Sequence, residues 1–506
     1  MKKLSLLLLL SLTCFSSPFA QTTDFVKDSI DKYVNEAMQL WQIPAMAVAV
    51  VKDGKVIFSK GYGVREIGKT DKVDENTLFM IASNSKAFTA TALCMLEYGK
   101  QLSIDDKVIK YFPDFKLFNN FITQEATLRD MLCHRVGLKT FQGDFTYWRS
   151  NLSRKQVIER FGKNKPLYDF RTRYGYCNAG FVVAGEVIPA VTGKQWEEFV
   201  RDSIVKPLQM SRTLMLSAEM PKAENVAVPH SLIDGKIAKI PFPMIDALAP
   251  AGSMVSSVKD VANWLIMQLD TGKFQGKQIV AKQAILKTWA GNTIISTNKS
   301  WLYPRQFSLY GLGWVIQDYA GRKMFDHTGG ADGFVTSTCF VPEEKLGVVV
   351  LTNTDQNTAY LALRYQIVDA FLKQPYKNYN RIFFTGDKQE QEEETKRIQA
   401  ERAKVAQKNK PALPLSAYTG KYENEVYGTM EIKLEKDQLY AYFSNHPDLV
   451  GKLEAQGGNH FLCTFNISTY GIHVMPFEVE NGKVKSAIVK VNDFIEYDPY
   501  VFVRKN

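Results

Sequence analysis

The sequence predicts two folded units, an α/β domain followed by a small all-β barrel. Three observations carry that prediction. The chain has 506 residues, too many for one average domain, and 45% apolar with 12% aromatic residues suffices for substantial cores. Residues 387–410 are strongly charged and poor in apolar side chains, with Glu392/Lys396 and Glu393/Arg397 at helical i,i+4 spacing, and Pro411 and Pro414 end them. From Leu415 onward the pattern changes to short alternating strands at 429–434, 438–443, 477–480 and 484–491, separated by turns such as Lys436-Asp437 and Asn481-Gly482.

In chain order, Met1-Lys2-Lys3 is a positive start, 4–12 an apolar run, and Ser17-Pro18-Phe19-Ala20 a cleavage site before Gln21. Residues 1–20 are therefore expected to be a signal peptide, and the protein exported to the periplasm or secreted. Cys14 lacks the small preceding residue of a lipid-anchored cysteine, so cleavage is expected. No later run is long and apolar enough to span a bilayer. Phe25, Ile30, Tyr33, Val34, Met38 and Trp41 form one apolar helix face. Residues 46–51 and 55–59 around Asp53-Gly54 read as a hairpin, and 334–340 with 346–352 as a second strand pair. The expected domains are 21–386, a charged helical linker at 387–412, and a barrel at 413–506. A chain ending near Gly386 is expected to fold alone.

Loss of the signal's two lysines takes the formal charge from +10 to +8, which suits an exported protein near anionic envelope polymers. The charges are scattered and no basic stripe interleaves with aromatics, which excludes a nucleic-acid partner. The remaining cysteines, Cys94, Cys133, Cys177, Cys339 and Cys463, are odd in number and dispersed, against a disulfide framework. No C-x-x-C or H-E-x-x-H pattern occurs, so neither a metal site nor a cofactor is expected.

The chemistry rests on Ser83-Asn84-Ser85-Lys86, Tyr176-Cys177-Asn178 and His327-Thr328-Gly329. They supply a nucleophile, two groups able to take its proton, an amide to grip a substrate, and a turn exposing backbone N–H groups. S-x-x-K also occurs at Ser29, Ser203, Ser256 and Ser296, and Y-x-N at Tyr33, Tyr376 and Tyr422, so context selects. Ser83 follows the apolar run 78–82 and opens a helix-forming segment, which places it in a first helical turn with Lys86 on the same face. The apolar setting is suited to lowering the lysine pKa. The alternative is an N-cap serine with an exposed lysine. Cys177, on a strand between Tyr176 and Asn178, would face away from both and pack.

These motifs resemble the serine β-lactamase and penicillin-binding peptidase superfamily, in its class C-like branch. Thr127–Leu138 is similar to that family's TLRDLLSHTSGL segment, 249–254 to its AGGL/M.S turn, and 310–314 to the strand before its H/K-T-G strand. The resemblance covers about 25–372 and implies a β-lactamase-like fold, an antiparallel sheet flanked by helices with a helical subdomain. It implies Ser83, Lys86 and Tyr176 as catalytic residues. It further implies Asn178, His327, Thr328 and Gly329 as substrate-binding residues, with the N–H groups of Ser83 and Gly330 as oxyanion hole. Histidine in place of lysine at 327 resembles the DD-carboxypeptidase and esterase side. Tyr418-Thr419-Gly420-Lys421-Tyr422 resembles the start of a lipocalin-like accessory domain. The function implied is hydrolysis of D-amino-acid peptides or amides, such as a peptidoglycan stem peptide, through a Ser83 acyl-enzyme. An esterase or weak β-lactamase of the same fold is one alternative, and a non-catalytic penicillin- or peptidoglycan-binding protein another.

Overall fold

The computed structural model describes residues 24–505, so the expected signal peptide lies outside the described residues. An eight-stranded antiparallel sheet is built from β1 (Ala45–Lys52), β2 (Lys55–Gly63), β3 (Thr293–Ser296), β4 (Ser308–Tyr310), β5 (Val315–Tyr319), β6 (Arg322–Ala331), β7 (Phe334–Val341) and β8 (Leu346–Thr352). Its order is β2-β1-β8-β7-β6-β5-β4-β3. The first strand therefore pairs with the last, Met46 opposite Thr352. α1 (Ile30–Leu40), α4 (Val258–Leu269) and α5 (Ala359–Phe371) pack on the sheet, α2 (Ser85–Tyr98) and α3 (Asn178–Gly185) pack on each other in a helical subdomain, and α6 (Tyr379–Ala406) follows α5.

Strands β1, β7 and β8 are buried along nearly their whole length; β1 and β8 read as near-continuous apolar runs, whereas β7 carries Thr336, Ser337 and Thr338 at its centre. One face is covered by α1 and α5, the other by α4, with Trp264 of α4 stacked on Phe88 of α2 at 4.0 Å. The hairpin β1–β2 turns at Asp53 (φ 51°) and Gly54 (φ 75°), the two left-handed residues a tight two-residue hairpin requires. Asp326 of β6 is locked from below: Arg364 of α5 donates to it at 2.9 Å and Gln317 at 2.6 Å. Both ions are buried, so neither partner is removable without stranding a charge.

The C-terminal part is a closed antiparallel barrel of β9 (Gly420–Asn424), β10 (Gly428–Glu435), β11 (Gln438–Phe443), β12 (His446–Gly457), β13 (His460–Phe465), β14 (Ile472–Glu480), β15 (Lys483–Val489) and β16 (Tyr500–Arg504). Closure is made by β9 on β16, Tyr422 opposite Arg504. Strand 438–443 has the boundaries the sequence predicts. Strands β9, β12, β13 and β16 are additions, and the predicted 477–480 strand is the end of β14.

Gly386, the expected end of the first domain, lies inside α6. α6 begins at Tyr379 and runs through it without interruption. Its Asp387, expected to begin a solvated linker, accepts from Trp41 Nε1 (2.6 Å) and from the Thr358 amide (2.9 Å) and hydroxyl (2.8 Å). Further along, Arg397 donates to the Ile472 carbonyl of the barrel at 2.7 Å and pairs with Glu394 rather than Glu393. The two cores are also joined directly, because Phe145 of the α/β domain enters the barrel among Tyr427, Phe443, His446, Tyr470 and Tyr500. The helix that sequence polarity marks as a linker is a strut gripping both units.

Candidate active site

Ser83 sits in a single 3₁₀ turn, Ala82–Asn84, which leads into α2. Ala82 adopts φ 46°, a left-handed conformation that costs a residue bearing a β-carbon roughly 1–2 kcal/mol. Neighbouring bonds hold it there: the Ile81 amide donates to Met254 O at 3.0 Å, and Ser85 Oγ to Ala82 O at 2.6 Å. The strain lifts Ser83, half-buried, above its fully buried neighbours.

Lys86 is wholly buried, which removes the reading of an exposed lysine behind a capping serine, and α2 has no side-chain N-cap. Its Nζ lies 3.1 Å from Ser83 Oγ, 2.6 Å from Asn178 Oδ1 and 2.8 Å from the Ala251 carbonyl. Two fixed oxygens can only accept, so they take the two hydrogens of a neutral amine and leave its lone pair for the Ser83 hydroxyl. Burial brings Lys86 down to about 7, with the nearby Asp144 carboxyl opposing the shift. The Tyr176 ring lies 4.7 Å from Nζ. Burial pushes the Tyr176 phenol well above its usual range, against its bond to Ser83, so Lys86 is the better proton acceptor of the two.

His327 lies on β6, fully buried, with Nδ1 2.6 Å from the Thr328 carbonyl and Nε2 3.0 Å from the Tyr310 hydroxyl. A carbonyl only accepts, so the proton is on Nδ1 and Nε2 accepts from Tyr310. Burial, followed by the Lys86 charge, takes His327 down to about 3, and it is neutral at any ordinary pH. Thr328 and Gly330 are half-exposed positions at the end of the strand. A Cβ on Gly329 would sit 2.1 Å from the Ile81 carbonyl, so this glycine lets β6 approach the turn that carries Ser83 rather than a substrate. At Gly330 the nearest atoms belong to the Phe494 ring, 3.2 Å away, which is a barrel residue.

Cys177 is not on a strand but immediately precedes α3. It is buried, and burial raises its thiol to about 12, which makes it a packing residue for a different reason from the one strand alternation suggests. Four further residues at the site carried no sequence signal of their own. Tyr310 fixes the His327 ring, and His134 Nδ1 accepts from the Cys177 amide at 3.0 Å beneath the Tyr176 ring. Asp144 accepts from Asn178 Nδ2 at 2.6 Å, and Phe494 lies over Gly330. Tyr310 and His134 fall inside segments that carry the family resemblance, whereas Asp144 and Phe494 do not.

The sheet, the helical subdomain and a buried lysine beside a strained serine turn define a β-lactamase-like protein. Residues 30–372 match the Beta-lactamase family and 404–504 match a domain of unknown function, DUF3471. The chain belongs to the Beta-lactamase family, among hydrolases of the β-lactamase and penicillin-binding group. It is 28% identical to the Unguisins hydrolase ungD' of Aspergillus campestris over 444 residues, 81% of this chain and 78% of that one. It is 25% identical to Protein flp of Staphylococcus aureus (strain N315) over 338 residues, 65% of this chain and 64% of that one. The octameric penicillin-binding protein homologue from Pyrococcus abyssi superposes with a TM-score of 0.58 at 22% identity, covering 94% of this chain and 99% of that one. That likeness extends the shared fold to the barrel.

Proposed function

We propose that the chain is an exported serine hydrolase that acts through a Ser83 acyl-enzyme on D-amino-acid peptides or related amides. The observation that carries this reading is the Lys86 amine, dry, held by two carbonyl oxygens, and aimed at the Ser83 hydroxyl. In the reaction proposed, Ser83 Oγ adds to the substrate carbonyl as its proton passes to Lys86. The oxyanion is met by the Ser83 and Gly330 N–H groups, and the Tyr176 hydroxyl relays the proton to the leaving nitrogen. Water then attacks the ester, and Ser83 recovers its proton. Asn178 binds the acyl-side amide, and Thr328 lines the approach of the leaving group, while Gly329 only lets β6 pack against the Ser83 turn. Export rests on the Met1–Ala20 pattern, and a peptidoglycan stem peptide is the natural substrate class for that location.

Because the base works deprotonated, kcat/KM is expected to rise with pH through a single limb near 7, set by Lys86. His327 contributes no limb between pH 5 and 9, since it is already neutral there. A rate that is flat from pH 5 to 9 contradicts Lys86 as the base.

His327 also bears on the substrate. A lysine at this position offers a permanent positive charge, whereas a neutral imidazole does little for an anionic β-lactam or for the water that must clear its acyl-enzyme. Penicillins are therefore expected to acylate Ser83 and leave slowly, while D-amino-acid amides or short esters turn over. The test follows intact mass and steady-state hydrolysis of a chromogenic cephalosporin, a D-Ala-D-Ala peptide and a short-chain ester on one preparation. Cephalosporin turnover on the order of hundreds per second makes the protein an efficient β-lactamase instead. Ester turnover without peptide turnover makes it an esterase, and stoichiometric labelling with no turnover of any substrate makes it a binding protein.

A further inference from the structure

Asn178 can be placed in its site in two ways, and only one of them leaves Lys86 able to act. With Oδ1 toward Lys86, as found, the amide takes a hydrogen from the amine at 2.6 Å. Turned over, it would present N–H groups to Nζ and occupy the lone pair that Ser83 needs. What selects between the two lies on the far side of the amide. Asp144 Oδ2 accepts from Asn178 Nδ2 at 2.6 Å, and its other oxygen has no hydrogen-bond partner among the described residues. The Asn178 amide is the one hydrogen bond that this buried carboxyl makes among the described residues.

Asp144 is itself held from outside the α/β domain. The amides on either side of it, Gly143 and Phe145, donate to the two oxygens of a single carboxylate, Glu496 Oε1 at 2.8 Å and Oε2 at 3.1 Å. Tyr427 of the barrel donates to the same group at 2.6 Å. Gly143 is left-handed, φ 89°, and a Cβ there would lie 2.7 Å from Asn164 Oδ1, so the turn has one tight fit. Phe145, next in sequence, is the side chain buried in the barrel. An unbroken line of contacts thus joins Ser83, Lys86, Asn178, Asp144 and its turn to Glu496, a residue of the barrel domain.

We propose that Asp144 is a positioning residue for the Ser83–Lys86 pair, orienting the Asn178 amide, and that the barrel, through Glu496, holds Asp144 at the distance this needs. The barrel is then a structural part of the catalytic apparatus rather than an appended binding module. This inference rests on Ser83 as nucleophile and Lys86 as its base.

The test measures labelling of the full-length chain by a fluorophosphonate, as a maximal rate constant and a half-saturating concentration. Asp144→Leu, which fits the space but cannot accept, is expected to lower the maximal rate about 100-fold, the range for losing a poised general base. Its half-saturating concentration and the mapping to Ser83 should persist. Asp144→Asn keeps an acceptor and is expected to recover at least tenfold of that loss. Glu496→Ala should lower the same rate constant about tenfold without changing saturation, and it carries the comparison if Asp144→Leu is not recovered folded. The proposal is overturned if Asp144→Leu labels within threefold of wild type, or if Leu and Asn fall alike. It is also overturned if Glu496→Ala changes only saturation or nothing at all. Wild-type protein that does not label at Ser83 instead removes the acyl-enzyme reading itself.

Discussion

Ser83→Ala is expected to abolish covalent labelling by a fluorophosphonate or a β-lactam and to lower hydrolysis by at least about 10³-fold, the scale on which nucleophile removal acts. In the wild type one adduct should map to the peptide carrying Ser83. The thermal midpoint should hardly move, because among the described residues the Ser83 hydroxyl bonds to Lys86 and Tyr176 and is half-exposed. The strain sits in the backbone at Ala82, not in the side chain lost. Labelling that survives in Ser83→Ala sinks the assignment. An adduct on Cys177 does so as well, and the raised thiol pKa makes that outcome chemically unfavourable.

A chain ending at Gly386 is expected not to fold, the reverse of what the sequence pattern suggests. Truncation there cuts α6 within its first turns and removes Asp387, leaving Trp41 Nε1 and the Thr358 amide without an acceptor. It also strips the barrel from Phe145 and takes away Glu496, the carboxyl that accepts from the Gly143 and Phe145 amides. Exposing one large aromatic of this kind costs about 1.5–3 kcal/mol, against total stabilities of about 5–15 kcal/mol. Trp148, whose carbonyl accepts from Tyr470 and whose ring meets Phe494, loses its cover at the same time. The soluble yield of the truncated chain, its calorimetric melting and Ser83 labelling check this. A cooperatively melting truncation that labels at the wild-type rate would show the two units to be independent, and would contradict the role given to Glu496.

What was legible in the sequence is what depends on neighbours along the chain. Ser83 and Lys86 share a helix face because they are three residues apart. Thr127 and Asp130 form a reciprocal capping box within the family-like segment. The Asp53-Gly54, Lys436-Asp437 and Asn481-Gly482 turns all have two left-handed residues, as their composition leads one to expect. The apolar run of β8 marks a strand buried on both faces. Strand β12 escaped notice because its burial alternates imperfectly and His446-Pro447-Asp448 reads as a turn.

Tertiary structure alone decided the rest. A charged helix looks the same whether it floats between domains or clamps them, since its polar face is exposed either way, and only the contacts of Asp387 and Arg397 distinguish the two. The pKa values of Lys86 and His327 were likewise undetermined, because burial sets both and burial is a property of the assembled core. The sequence names Asn178 but not the direction of its amide. That direction depends on Asp144, 34 positions away, whose turn is held by Glu496, more than 350 positions along the chain. A carboxylate's hydrogen-bond partners are chosen by distance in space. No local pattern encodes such a choice, so the fold had to be formed before this part of the site existed.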